Sequence, residues 1–290
     1  MEISDKIIDC RLVADNILKQ VKEESSILSG KYGIRPKLVS IISGDKESSK
    51  IYVSSQKKTA QIVGIDFEIC EIGESATQLA LSQKIDELNN DKSVTSIIIQ
   101  HPLACGIEYE KIIPRVNIYK DAEATHPYNL GMILRGDAKL MPCTPGAVME
   151  ILNSKGIDLY GKDITIIGHS SIVGKPLAML LLNKTATVSV CHIGTARKGD
   201  IKRYTSNADI LIVAVGKANM VDSSWIKEGA VVVDVGINNF NGKVTGDVDF
   251  DDTIKKASFI TKVPGGVGPV TVSILMRNVL ESYKAQYEKF

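Results

Sequence analysis

Seven short apolar runs fix what this chain can fold into: KLVSIIS (37–43), DFEICEI (66–72), SIIIQ (96–100), ITII (164–167), TVSVCH (187–192), ILIVAVG (210–216) and AVVVDVG (230–236). They are too short for helices, mostly β-branched, and most end on a glycine or a polar residue. Between them lie segments with helical spacing at 8–30, 51–63, 76–89, about 146–155 and 176–182. Strand runs alternating with helical stretches predict parallel sheets covered by helices, an α/β fold. At 290 residues the chain has room for two such domains. Pro142-Cys143-Thr144-Pro145 breaks the alternation near its middle and reads as a stiff entry to the second domain.

In parallel sheets ligands sit beyond the carboxyl ends of the strands. In the first half that rule selects Gly44-Asp45 with Tyr52 and Gln56 on the next helix, then Gln100-His101-Pro102-Leu103, then Lys120-Asp121-Ala122-Glu123. Tyr52 and Gln56 are four apart and share a helix face. Taken singly, each has a plain reading: a core tyrosine, a solvated lysine face at Lys57-Lys58, loop charges at Asp121 and Glu123. Their convergence at equivalent strand ends favours function.

The second half carries IIGHSSIVGKP, a strand, a turn at Gly168 and a helix start after Gly174. Free N–H groups and the helix dipole make that geometry a phosphate cradle. It is not the G-x-G-x-x-G fingerprint, because Ser170 stands where the second glycine would be. Gly168, His192, Gly216 and Gly236-Ile237-Asn238 all end strands and predict one crevice of a doubly wound, nucleotide-binding module. The loop VPGGVGP is low in bulk and suits a flat ligand, and Thr271 reads as the cap of a C-terminal helix.

Composition narrows the classes. A net charge of +1 and 5% aromatic residues argue against nucleic-acid and membrane surfaces. Five scattered cysteines without a C-x-x-C pair, and four histidines without ligand spacing, give no disulfide framework or metal site. MEISDKIIDC has neither a basic start nor a long apolar core, so a cytoplasmic protein is expected.

Nine stretches in order then resemble the methylenetetrahydrofolate dehydrogenase/cyclohydrolase family: GDKESSKIYVSSQKK, IIIQHPL, KDAEATHPYNLG, PCTPGAV, IIGHSSIVGKPLAMLL, ATVSVCHIGT, ADILIVAVGKANMV, VVVDVGIN and VPGGVGPVTVSIL. The resemblance implies a folate-binding catalytic domain at 1–140 and 268–290, rejoined by the C-terminal helix. A Rossmann-type NAD(P)-binding domain would fill 141–267, with folate and cofactor in a cleft. It also implies a homodimer, hydride transfer from methylenetetrahydrofolate to the nicotinamide, and water addition to the methenyl product. Catalytic and folate-binding roles carry over to Tyr52, Gln100 and Glu123, and position 56 is the catalytic lysine's place. The substrate loop matches Pro264, Gly265, Gly266, Val267 and Gly268. Cofactor contacts carry over to Thr144, Gly168, His169, Ser170, Val173, Ile193, Gly216, Ile237 and Thr271.

The departures sharpen the expectation. The family lysine four residues after the tyrosine is Gln56 here. That ammonium serves proton transfer in water addition, and its loss typically costs ~10²–10⁴-fold. Lys57 points roughly 100° away around the helix. A dehydrogenase with lost or impaired cyclohydrolase activity is therefore expected. At the pterin site D-G-F has become Glu123-Ala124-Thr125, while His101 and Ala104 replace apolar leucine and proline. In the cofactor loop G-R-S has become Gly168-His169-Ser170, and a serine is Ile193. These changes tilt the cofactor from NADP toward NAD, with Arg197 and Lys198 near enough in sequence to compensate. Two alternatives stay open: a bifunctional enzyme with a compensating group, and a non-catalytic paralogue that binds nucleotide or pterin.

Overall fold

Asp9 starts the first long helix, its Oδ1 accepting the Leu12 N–H at 3.0 Å. In this computed structural model, which describes residues 3–44, 46–73 and 75–288 and no side chains at 46–48, that helix is α1 (Cys10–Tyr32). Cys10, Ala14, Ile17, Val21, Ser25 and Leu28 recur every three or four positions and are buried. Leu12 and Ile27, expected on the same stripe, face solvent. Gly33 follows at φ +70°, a conformation that suits glycine and stops the helix.

The chain divides into two units: residues 15–143 with the segment from Val272 onward, and residues 144–271 with the segment up to Ala14. The first unit runs β1 (Lys37–Ile42), α2 (Lys46–Ile62), β2 (Asp66–Glu71), α3 (Gln78–Asn90), β3 (Ser96–Ile99) and α4 (Pro127–Arg135). Its three strands are parallel in the order β2-β1-β3, with Ile41 opposite both Cys70 and Ile99. Val39, Ile41, Ile97 and Ile99 pack on Leu81, Ile85 and Leu88 of α3. The segment at 120–122 lies along β3, Ile97 donating to the Lys120 carbonyl at 2.7 Å and Ala122 donating to that of Ile97 at 3.1 Å. Lys120 is structural: its ammonium donates to the carbonyls of Leu88, Asn89 and Asp91 at 2.7–2.9 Å, closing the end of α3.

The second unit runs α5 (Cys143–Ser154), β4 (Asp163–Ile167), α6 (Gly174–Leu182), β5 (Thr187–Cys191), α7 (Ile193–Arg197), β6 (Ile210–Val213), β7 (Val231–Asp234), β8 (Asn238–Phe240), β9 (Lys243–Thr245) and β10 (Phe259–Ile260). Five strands form a parallel sheet, β10-β7-β6-β4-β5, and β8-β9 is a separate antiparallel hairpin. The strand order reverses next to β4, as in doubly wound sheets. The last helix, α8 (Val267–Tyr287), begins in this unit, and its residues from Val272 onward belong to the first.

Four sequence expectations need correction. Residues up to Ala14 belong with the nucleotide-type unit, because Ile7 bridges Ile260, the Ile8 N–H donates to the Ile260 carbonyl at 2.9 Å, and Lys6 caps the carbonyls of Ile254 and Lys255. The KESSK segment is helix, since α2 starts at Lys46; Asp45, singled out beside it, lies outside the described residues. Of Pro142-Cys143-Thr144-Pro145 only Pro142 precedes the helix; the other three form the first turn of α5, where Pro145 needs no N–H partner. Thr271 is no cap: it sits one turn inside α8, its Oγ1 donating to the Val267 carbonyl at 3.1 Å. Among the described residues no helix is long and apolar enough to cross a membrane.

Candidate functional site

Four residues selected from sequence come together in the first unit. Helix α2 turns Ser49, Val53, Gln56 and Ala60 inward, and Tyr52 lies half-buried beside them. Gln100 follows β3 and is buried. Its Nε2 donates to Ser40 Oγ at 3.0 Å and to Gln56 Oε1 at 2.9 Å, using both N–H bonds. This fixes the orientation of the Gln56 amide. Its oxygen faces Gln100, and its Nε2 is buried beside Tyr52 without a hydrogen bond of normal geometry. An unpaired buried amide donor costs about 1–3 kcal/mol, so the arrangement suits an acceptor that arrives with a ligand.

Glu123 sits in a turn closed by the Ala124 N–H donating to the Asp121 carbonyl at 3.2 Å. Burial pushes its carboxyl up to about 8, and the charge of Asp121 adds to the rise. Asp121 is itself buried and raised by burial, although it accepts the His126 N–H at 2.8 Å and Asn129 Nδ2 at 2.9 Å. Tyr52 is held well above the ordinary phenol range, first by burial and then by the charges of Cys143 and Glu123, with the Gln56 side chain opposing from close by. Lys57 and Lys58 are exposed and turn away from this face.

The sequence reading passed over several members of this cluster. Cys143 is buried, with Sγ against the Ala122 carbonyl at 3.5 Å. Asn278 of α8 donates to the carbonyls of Ala122 and Met141 at 2.8 Å and so anchors the Glu123 turn. The Tyr109 hydroxyl and Thr125 Oγ1 are hydrogen-bonded at 2.6 Å, and the Tyr109 ring lies 4.6 Å from that of His101. Tyr109 and Asn278 stand in no motif, and only the fold brings them near. Thr125 and His101 were flagged as departures, and the structure makes them neighbours through Tyr109.

The second unit holds the other candidates. A Cβ on Gly168 would strike the Ala214 carbonyl, and one on Gly174 the Gly168 carbonyl, so strand, turn and helix meet backbone to backbone. Gly168 has φ +128° and donates to the Cys191 carbonyl at 2.9 Å. Ser170 Oγ accepts the Val173 N–H at 3.1 Å and shapes the turn. His169, Ser170, Ile193, Gly216 and Ile237 are exposed beyond the carboxyl ends of β4 to β7. The rings of His169 and His192 are 5.0 Å apart, and His192 Nδ1 accepts the Gly194 N–H at 3.1 Å. Thr144 lies in the first turn of α5 and Thr271 is buried in α8, neither at a strand end. Pro264, Gly265, Gly266, Val267 and Gly268, expected to touch substrate, line one pocket with Gly236 and Ile237, expected to touch cofactor.

Two buried aspartates hold this end of the sheet. Asp247 accepts the N–H groups of Val215, Gly216 and Lys217 at 2.7–3.0 Å, and Asn238 Nδ2 at 2.9 Å. Asp234 accepts those of Gly236, Asp247 and Val248 at 2.9–3.0 Å, while burial pushes its carboxyl up to about 6. The loops after β6 and β7 are thereby tied together. The close-packed glycine turn and these fixed loops fit a dinucleotide lying across the strand ends.

Comparison with known proteins agrees with this geometry. Residues 8–123 match the tetrahydrofolate dehydrogenase/cyclohydrolase catalytic domain, and residues 142–287 match the NAD(P)-binding domain of the same family. The bifunctional protein FolD of Bacillus licheniformis is 44% identical over 279 residues, covering 96% of this chain and 97% of the relative. FolD of Methanosarcina mazei is 44% identical over 275 residues, 95% of each. The crystal structure of the bifunctional FolD dehydrogenase/cyclohydrolase from Campylobacter jejuni superposes with a TM-score of 0.92 at 43% identity, covering 97% of this chain and 99% of that one. The Trypanosoma brucei enzyme, solved with NADP and an inhibitor, gives 0.92 at 37% identity over 98% of both chains. The chain therefore belongs to the tetrahydrofolate dehydrogenase/cyclohydrolase family.

Proposed function

We propose that this chain is an NAD(P)-dependent 5,10-methylenetetrahydrofolate dehydrogenase whose cyclohydrolase step is lost or strongly impaired. The observation that carries the reading is the buried Gln56 amide, locked by Gln100 where the family places a lysine. Tyr52 offers its ring to the folate, and Glu123 offers a carboxyl to the donor edge of the pterin. The unpaired Gln56 Nε2 supplies one hydrogen bond to the bound ring system. When bound, the nicotinamide supplies the hydride acceptor. None of these residues has to move a proton for hydride transfer, so an amide at 56 is compatible with it.

Water addition is different. The water that attacks the methenyl carbon must give up a proton, and an amide exchanges none near neutral pH. Lys57 is exposed on another face of α2 and cannot substitute. For the dinucleotide, His169 in place of a permanent guanidinium supports NAD over NADP. His169→Arg should tighten NADP binding by about tenfold, measured by titration, and leave NAD binding little changed. A cytoplasmic homodimer completes the reading, with light scattering as its check on assembly.

The test is an assay of the purified protein with methylenetetrahydrofolate and either dinucleotide. Nicotinamide reduction is expected with at least one, and hydrolysis of the methenyl product at the uncatalysed rate. Gln56→Lys should raise hydrolysis by about 10²-fold or more. Absence of reduction with both dinucleotides contradicts the dehydrogenase reading.

A further inference from the structure

The turn that carries Glu123 is held from both sides. Before Glu123, the Ala122 carbonyl accepts Asn278 Nδ2 at 2.8 Å. After it, the buried Thr125 hydroxyl is bonded to the Tyr109 hydroxyl at 2.6 Å. Between these anchors Ala124 is fully buried at φ +56°, a left-handed conformation that disfavours any residue with a Cβ. Such a conformation persists only where its surroundings hold it, and Thr125 is the next residue in the chain. Burial raises the Tyr109 phenol above its ordinary range, so the hydroxyl keeps its proton for this bond.

Tyr109 also reaches the other folate segment. It starts a single helical turn, Tyr109–Ile112, and packs with Leu103 and Ile107 on the core around Ile41, Ile97 and Ile99. Its ring centroid lies 4.6 Å from that of His101 at an interplanar angle of 53°, a tilted geometry that aromatic pairs favour. His101 follows Gln100, whose backbone N–H donates to the Ile41 carbonyl at 2.9 Å. One side chain thus touches the segment of Gln100 and the segment of Glu123. Both contacts use departures from the family pattern. A leucine at 101 has no ring to meet Tyr109. A phenylalanine at 125 has no hydroxyl, and a ring built along the Thr125 Cβ–Oγ1 direction would run into the Tyr109 oxygen. We infer that Tyr109 is a positioning residue of the folate site, tying the loop after β3 to the Glu123 turn and making positions 101, 109 and 125 a coupled set. The inference rests on the reading of Gln100 and Glu123 as folate residues, and deepens it by naming what holds their two segments together.

The test is the initial rate of nicotinamide reduction against 5,10-methylenetetrahydrofolate concentration, for the wild type, Tyr109→Phe, Thr125→Val and the double variant. Each single variant removes the same bond with little change of shape. Each should raise the KM for the folate about three- to tenfold, and the double variant by no more than the larger single effect. Thr125→Ser, which keeps the hydroxyl, should match the wild type. The KM for the dinucleotide should stay unchanged throughout. A purely structural role would lower the amount of competent enzyme, and so the apparent kcat, without moving either KM. A folate KM unchanged in both Tyr109→Phe and Thr125→Val overturns the inference and leaves the dehydrogenase reading standing. A double variant that sums the two losses in full also overturns it, since the residues then act separately. Absence of reduction by the wild type overturns both.

Discussion

An ammonium and an amide at position 56 differ in one exchangeable proton, and that difference reaches the chemistry of water addition. Glu123, in the same unit, has a measurable signature of its own in the free protein. Burial and Asp121 raise its carboxyl from 4.5 to about 8. The folded chain therefore keeps a proton that the unfolded chain gives up. The resulting contribution to stability is complete below about pH 4.5, and is lost as pH rises through about 8. Thermal midpoints of wild type and Glu123→Gln across this window should diverge in the variant's favour as pH increases. Parallel profiles would show that the carboxyl is not raised. The departures at 56 and 123 were legible in the sequence because a resemblance supplied the expected residues. The direction of the Gln56 amide was not, because it depends on Ser40 and Gln100, from other segments.

Among the elements, the strands were the most legible, since runs such as SIIIQ and AVVVDVG admit little else. Element ends were less so: α2, α5 and α8 all start earlier than propensity suggests. The end of α6 holds an unmatched residue. Thr185 is exposed and β-branched, yet has φ +62° where the chain closes the helix, Ala186 donating to the Leu181 carbonyl and Thr185 to that of Leu182. Thr185→Gly should stabilise the protein by about 1 kcal/mol, seen as a midpoint rise of ~2–4 °C. The loops after β6 and β7 depend on Asp247, whose four hydrogen bonds come from two of them. Asp247→Ala removes the acceptor of three part-buried backbone donors. It should cost about 2 kcal/mol by denaturant unfolding and weaken dinucleotide binding.

For the whole molecule, the alternation of strands and helices predicted two α/β units, and the fold has them. The amino-terminal segment escaped that reading because a few contacts of Lys6, Ile7 and Ile8 tie it to residues 254–260, and such isolated pairings leave no periodic signal. The substrate loop was likewise separated from Ile237 in sequence and joined to it in one pocket by the fold. What the molecule does as a whole rests on two steps that can be counted side by side. The most direct measurement is a single turnover with methylenetetrahydrofolate and the preferred dinucleotide, following reduced nicotinamide, methenyl and 10-formyl folate in one sample. The account predicts methenyl folate appearing in step with reduced nicotinamide, and 10-formyl folate forming only at the enzyme-free rate. Enzyme-dependent formation of 10-formyl folate at a rate comparable with reduction would contradict it.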